Sequence, residues 1–201
     1  HDQVRIDSEL TFEKDRCQHA LDLAKQGARV ALISSGDSGI YGMAGLALEL
    51  WLDESVESRP LFQVHPGISS FQMAAAKLGA PFMHDFCSIS LSDLLTPWNK
   101  IEKRLQSAAK GDFVIAIFNP KSIKRDWQLK KAVDLLLECR NPSTPVAIAR
   151  QLGRSEESIE IHTLETLPFD RVDMLTILVI GNSQSVIKNN KFLTPRGYLS
   201  N

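Results

Sequence analysis

"RVALISSGDSGIYGMAGLALELWL", residues 29–52, runs from an apolar stretch through a glycine-rich turn into a second apolar stretch. Four glycines fall between Ser34 and Gly45, and two of them flank Asp37-Ser38. Each glycine forfeits roughly 0.5–1 kcal/mol of order relative to alanine. Such a turn between a buried strand and a helix therefore implies a compensating role, and close approach of backbone to a ligand is the one expected here.

Outward from that turn the chain reads as alternating elements. Residues 12–26, "FEKDRCQHALDLAKQ", place Cys17, Ala20, Leu21 and Ala24 at helical spacing, with Gly27 as the stop. "ARVALIS" (28–34) is a continuous apolar run, the pattern of a parallel strand covered on both faces. Residues 43–52 read as a helix and "LFQV" (61–64) as a strand. "PGISSFQMAAAKLGA" (66–80) reads as a turn and a helix, with Ser69 as N-cap. "FCSISL" is a strand, 98–109 a helix and "DFVIAIF" a strand. "RDWQLKKAVDLLLECR" sets Leu129, Val133, Leu136 and Leu137 on one helical face. "TPVAIAR", "SIEIHTL" and "MLTILVIG" supply three further strands with no long helix between the last two. The order predicts an α/β fold whose sheet is mostly parallel with an antiparallel part. "APFMHDF" (80–86) marks a break, giving domains at 1–84 and 85–201.

The bulk properties bound the function. The chain has 201 residues, a net charge of −1 and 43% hydrophobic residues, which suits an ordinary globular protein and argues against general nucleic-acid or membrane-surface binding. No apolar run reaches the roughly 18–20 residues of a membrane span. The opening "HDQVRIDSEL" lacks the apolar core and basic leader of a signal peptide. Cys17, Cys87 and Cys139 are odd in number and form no C-x-x-C pair, so reduced thiols in a cytoplasmic protein are expected, without a metal site.

A P-loop motif is absent, and Gly36, Gly39 and Gly42 lie three apart where a Rossmann fingerprint needs G-x-G-x-x-G. Three other predicted strand ends carry proline and small polar residues: "HPGISS" (65–70), "IFNPKS" (117–122) and "IGNSQS" (180–185). Together the four ends suggest a cleft lined by backbone groups; the alternative is four ordinary tight turns.

Several segments carry a resemblance. "SSGDSGIYGMAG" resembles the G-D-P-x-x-Y turn of the tetrapyrrole methylases, with Ser38 where proline is usual, and "VHPGISSFQMAAAKLGAP" resembles their V-x-P-G-x-[ST]-[SA] segment. "FCSISLSDLLTPW" is similar to the distinctive segment of the precorrin-3B C(17)-methyltransferases of cobalamin biosynthesis, also known as cobalt-factor III methyltransferases; "VDMLTILVIGNSQS" and "TPRGY" extend the likeness to the end. The resemblance implies two α/β domains with S-adenosyl-L-methionine in a cleft between them. It also implies a first amino-terminal strand and glycine-rich loop that are missing here. By motif, Ser35, Gly36, Asp37 and Ile40 match the methionine and ribose side of the cofactor site, and Ser69 and Ser70 the next contact pair. Asn119, Ala147 and Gly153 are weaker matches around adenine and sulfonium.

In that subfamily methylation at carbon 17 accompanies ring contraction, which needs an acid or base near the reacting hydroxyl and lactone. Asp93, Ser90, Ser92 and Thr96 are the candidates, with capping of the helix near Pro97 as the structural alternative for Asp93. His84-Asp85 is a second candidate pair. The macrocycle's carboxylates point to Lys121, Lys124, Arg125 and Arg150 as grips, with Arg154 near the last of these; a solvated charged face is the alternative for Lys124 and Arg125. A homodimer, a corrinoid precursor as substrate and no nucleic-acid partner complete the expectation. Diphthamide and ribosomal-RNA methylases share the fold, and "SLSDLLTPW" argues against them; a non-catalytic remnant that still binds cofactor is the competing class.

Overall fold

The computed structural model describes residues 3–7, 12–122 and 125–199. The chain divides into two units, His1–Ser69 and Ser70–Asn201, with the division ahead of the break expected at 80–86.

The first unit holds α1 (Glu13–Lys25) and α2 (Ala44–Asp53). α1 begins with Glu13 and Asp15 in its first turn and carries Lys25 in its last, both favourable to the helix dipole. It buries Cys17 and Leu21 and stops at Gly27, whose φ of +90° suits glycine alone. The two strands expected at 28–34 and 61–64 do not form: among the described residues of this unit there is no sheet ladder. The physical reason is the lack of a partner. Between segments 29–34 and 60–67 lies a cavity of about 600 Å³, floored by Leu21 and Ala24 of α1 and Ala47 and Trp51 of α2. Segment 60–67 is pinned near both of its ends. Trp51 donates Nε1–H to Pro60 O at 2.7 Å, and Ser38 Oγ donates to His65 O at 3.1 Å. Ile33 is left 82% exposed and Leu61 97%, as side chains are on a strand without a neighbouring sheet.

Among its described residues the second unit contains α3 (Ser70–Leu78), α4 (Trp98–Lys110) and α5 (Trp127–Leu137) with eight strands. They are β1 (Gly79–Ala80), β2 (Phe86–Ser90), β3 (Val114–Phe118), β4 (Pro145–Arg150), β5 (Ser158–Thr163), β6 (Thr176–Ile180), β7 (Val186–Lys188) and β8 (Lys191–Leu193). The main sheet has the order β2-β3-β6-β4-β5, and a small one the order β1-β8-β7.

Only β2 and β3 pair in parallel within the main sheet; the other three pairs are antiparallel. The mostly parallel sheet expected from the sequence is thus corrected. β4 and β5 are joined without a crossover helix and return antiparallel, while β6 enters between β3 and β4 and runs antiparallel to both.

Apolar residues fill both faces of this sheet, as the uninterrupted "VIAI" of β3 requires. Ile115 and Ile117 pack with Ile101 and Leu105 of α4 and Leu129 and Leu136 of α5. On the other face Ala116, Ala147 and Ala149 let Ala74 and Leu78 of α3 and Phe192 of β8 come close. Each fully buried Leu or Ile contributes about 1.5–3 kcal/mol of transfer free energy. Buried Arg140 ties this core together by donating to the carbonyls of Ala108, Phe113 and Gly181.

Direction decides which strand ends meet. β2, β3 and β4 all point one way, so Ser90, Asn119 and Gln151 share one end of the sheet. β6 points the other way. Asn182 therefore lies at the opposite end, donating Nδ2–H to Asp112 O at 3.1 Å, and "IGNSQS" takes no part in a common cleft with "IFNPKS".

Candidate active site

In the first unit the turn at 36–42 is organised by Asp37. Its Oδ1 accepts the Gly39 N–H at 2.8 Å and its Oδ2 the Gly67 N–H at 2.9 Å. The Gly67 amide, then that of Gly39, hold the Asp37 carboxyl below the ordinary aspartate range. The two turns touch through bare backbone. A Cβ on Gly67 would sit 2.2 Å from Gly36 O, and one on Gly42 2.6 Å from Ser38 O. Gly36 itself has φ +75°. Ser35 and Ile40 flank this turn, and buried Ser69 approaches Gly36 through its backbone. Gly67 was not singled out as a site residue from the sequence; the proline before it was the signal for a fixed turn.

In the second unit the segment after β2 is held from three points. Asn119, in the left-handed region at φ +49°, donates Nδ2–H to Ser90 Oγ at 3.0 Å. Arg125 donates Nη1–H to Leu91 O and to Asn119 O, each at 3.2 Å. Gln128 donates Nε2–H to Asp93 Oδ2 at 3.0 Å. Ser92 N–H bonds Ser90 Oγ at 3.2 Å, and Thr96 lies farther along the same loop. Asp93 does not cap the following helix: α4 starts after Pro97 without a side-chain cap. Ser90, Ser92, Asp93, Asn119 and Arg125 are thus brought together, with Gln128 as the member that sequence reading missed. Its signal was a polar residue on the buried face of α5.

The other candidates lie apart from this cluster. Lys121 Nζ donates to Phe169 O at 3.2 Å. Arg150 is engaged by Asp173, with Nε at 3.2 Å and Nη2 at 2.7 Å from Oδ2. That bond raises the Arg150 pKa; burial opposes the charge of Asp173, yet Arg150, Thr176 and the Leu175 amide still hold it low. Ala147 is buried in mid-strand with its side chain in the core. Gly153, at φ +76°, gives its N–H to Glu157 Oε2 at 2.7 Å. Ser70 opens α3. His84 and Asp85 form a local pair at 3.5 Å on the surface. Lys124 lies outside the described residues.

Among the described residues no group of three or more His, Cys, Asp or Glu side chains is placed to hold a metal ion. No described helix is long and apolar enough to cross a membrane. Main-chain N–H and C=O groups, the kind of group exposed along glycine turns such as 36–42, can hold a zwitterionic ligand with ribose hydroxyls without a fixed charge.

A family model for tetrapyrrole (corrin/porphyrin) methylases matches residues 2–168. A probable cobalt-factor III C(17)-methyltransferase of Salmonella typhimurium is 45% identical over 98% of this chain and 81% of its own length. A cobalt-factor III methyltransferase of Priestia megaterium is 44% identical over 98% of this chain, which spans 37% of that longer protein. Among solved structures, the methyltransferase CobJ superposes with a TM-score of 0.88 at 36% identity, covering 94% of this chain and 79% of that one.

Proposed function

Because this chain belongs to the tetrapyrrole (corrin/porphyrin) methylase family, we propose that it moves a methyl group from S-adenosyl-L-methionine to carbon 17 of precorrin-3B or its cobalt analogue, cobalt-factor III. The observation that carries this reading is the backbone-only contact of Gly36 with Gly67, fixed by Asp37. Ser35, Gly36, Ile40 and Ser69 hold the cofactor through that turn, and Asp37 acts by shaping it. Ser70, Asn119, Ala147 and Gly153 are further proposed contacts, Ala147 through its backbone alone.

S-Adenosyl-L-methionine, when bound, supplies an electrophilic methyl group on a sulfonium. What the protein adds is alignment of the carbon nucleophile and exclusion of water. For the accompanying ring contraction, Asp93 takes or delivers the proton of a reacting oxygen, and Ser90, Ser92 and Thr96 orient it. Lys121, Lys124 and Arg125 grip the macrocycle's carboxylates. Arg150 contributes only by sharing its guanidinium with Asp173.

The same reading includes a cytoplasmic homodimer, and a strand seated between segments 29–34 and 60–67 that completes the first unit's sheet. The cavity there has an apolar floor and is lined by two segments that pair with no other strand, which supports this reading.

The test is incubation of the chain, and of the chain extended at its amino terminus by a family-type first strand, with either macrocycle and S-adenosyl-L-methionine. A product heavier by one methyl group, lost in Asp37→Ala, is expected. Cofactor binding without methylation in both forms would leave a binding protein in place of the enzyme.

A further inference from the structure

We propose that Gln128 is a positioning residue for Asp93, able to hold that carboxyl group both with and without its proton. The inference rests on Asp93 as the acid–base group of the preceding reading and adds the device that lets it change state in place.

Gln128 is the second residue of α5 and only 2% exposed, on a face otherwise made by Leu129, Ala132 and Val133. Its Nε2 donates to Asp93 Oδ2, while its Oε1 is buried with no hydrogen-bond partner among the described residues. Buried polar atoms are nearly always paired, so an orphaned acceptor beside a carboxyl group calls for a reason.

The reason is the symmetry of the amide. The last torsion of glutamine is broad and roughly two-fold, so a half-turn exchanges Nε2 and Oε1 while little else moves. With Asp93 ionised, the NH2 group donates to the carboxylate, as seen here. With Asp93 protonated, Oε1 accepts the acid's O–H. Asp93 takes the proton of a substrate hydroxyl on its substrate-facing oxygen, a half-turn of the carboxyl group brings that O–H to Oε1, and the reverse turn returns it. Lysine or arginine could not do this, having donors alone.

The surroundings allow the amide to turn without releasing the segment, because the neighbouring residues are held separately. Asn119 bonds Ser90, and Arg125, the charged member of the same bonded cluster, bonds Leu91 O and Asn119 O.

The test uses the full chain with 15N-labelled glutamine side chains. The Gln128 amide signals, identified by their loss in Gln128→Met, are followed through the acid titration of the wild type and of Asp93→Asn. A shift tracking one carboxyl titration in the wild type and absent from Asp93→Asn is expected. Resonance assignment through the Gln128 backbone identifies the same signals independently, so the Asp93→Asn arm reads out even if Gln128→Met does not fold. In turnover, Gln128→Met should lower kcat about tenfold or more with KM within about twofold, and add nothing to the loss in Asp93→Asn.

Amide signals indifferent to Asp93, or a kcat loss that adds fully to that of Asp93→Asn, would overturn the inference and leave the acid–base reading standing. Wild-type kcat in Asp93→Asn would remove the acid–base reading itself, and the positioning role with it.

Discussion

Asp37 and Gly67, thirty residues apart, are joined by one bond: the Gly67 amide donates to Asp37 Oδ2 at 2.9 Å. With the second oxygen on Gly39, a single carboxylate fixes the turn after segment 29–34 to the turn after segment 60–64. Both turns then present backbone at a spacing set by that carboxylate, with Ser38 Oγ bonded to His65 O beside it.

Asp37→Ala removes both bonds and should weaken S-adenosylhomocysteine binding about tenfold or more, the loss typical of a bond to a charged group. Calorimetric titration measures it. Unchanged affinity would mean that the turn keeps its shape without the carboxylate.

The depressed pKa of Asp37 fixes the sign of an acid effect. A carboxyl held lower in the folded chain than in the unfolded one adds stability above the unfolded value of about 4, and loses it as pH falls through the folded value. Cofactor affinity should therefore be flat above about pH 5 from this group and fall below about pH 4. The Asp37→Ala variant should lack that acid limb when both are titrated in parallel.

Two glycines give opposite expectations. Gly45, in the first turn of α2, has open space where a Cβ would go, and Gly45→Ala should raise stability by about 0.5–1 kcal/mol. Gly67→Ala drives a methyl group into Gly36 O and should cost about 1–3 kcal/mol along with cofactor binding. Thermal melts of the two variants decide it, and equal melting temperatures would contradict the close approach.

Arg140 carries another expectation. Burial lowers its pKa although Asp112 opposes the change, and its guanidinium serves three carbonyls from α4, the start of β3 and the end of β6. Lysine lacks the planar fork, so Arg140→Lys should destabilise by about 2–4 kcal/mol, with Arg140→Met no better. Denaturant unfolding measures both; a loss under about 1 kcal/mol for lysine would show that charge alone suffices.

The second unit was legible because its segments carry their own periodicity. "VIAIF" and "TPVAIAR" are read correctly as strands and Trp127–Leu137 as a helix, since burial on both faces of a sheet leaves runs that need no knowledge of the partner. Strand direction was not legible, because an apolar run looks the same either way, and this misplaced "IGNSQS". In the first unit the same rule failed. "ARVALIS" has the composition of a strand, but a ladder needs a neighbour, and none is present among the described residues. Of the candidate site, Asp37, Ser90, Asp93 and Asn119 could be named from motif likeness. Gln128 could not, since a lone polar residue on an apolar helix face acquires meaning only from what it faces.

The gap flanked by segments 29–34 and 60–67 also sets how this polypeptide should behave in company. Ile33 and Leu61 stand in water on two segments that belong to no ladder, which is the combination that invites another chain to pair. Self-association should therefore start in the first unit, grow with concentration, and be suppressed by a short strand-forming peptide that caps the two edges. With that gap open, this region is the first expected to be cut by a protease, and the strand proposed to sit there should slow the cut.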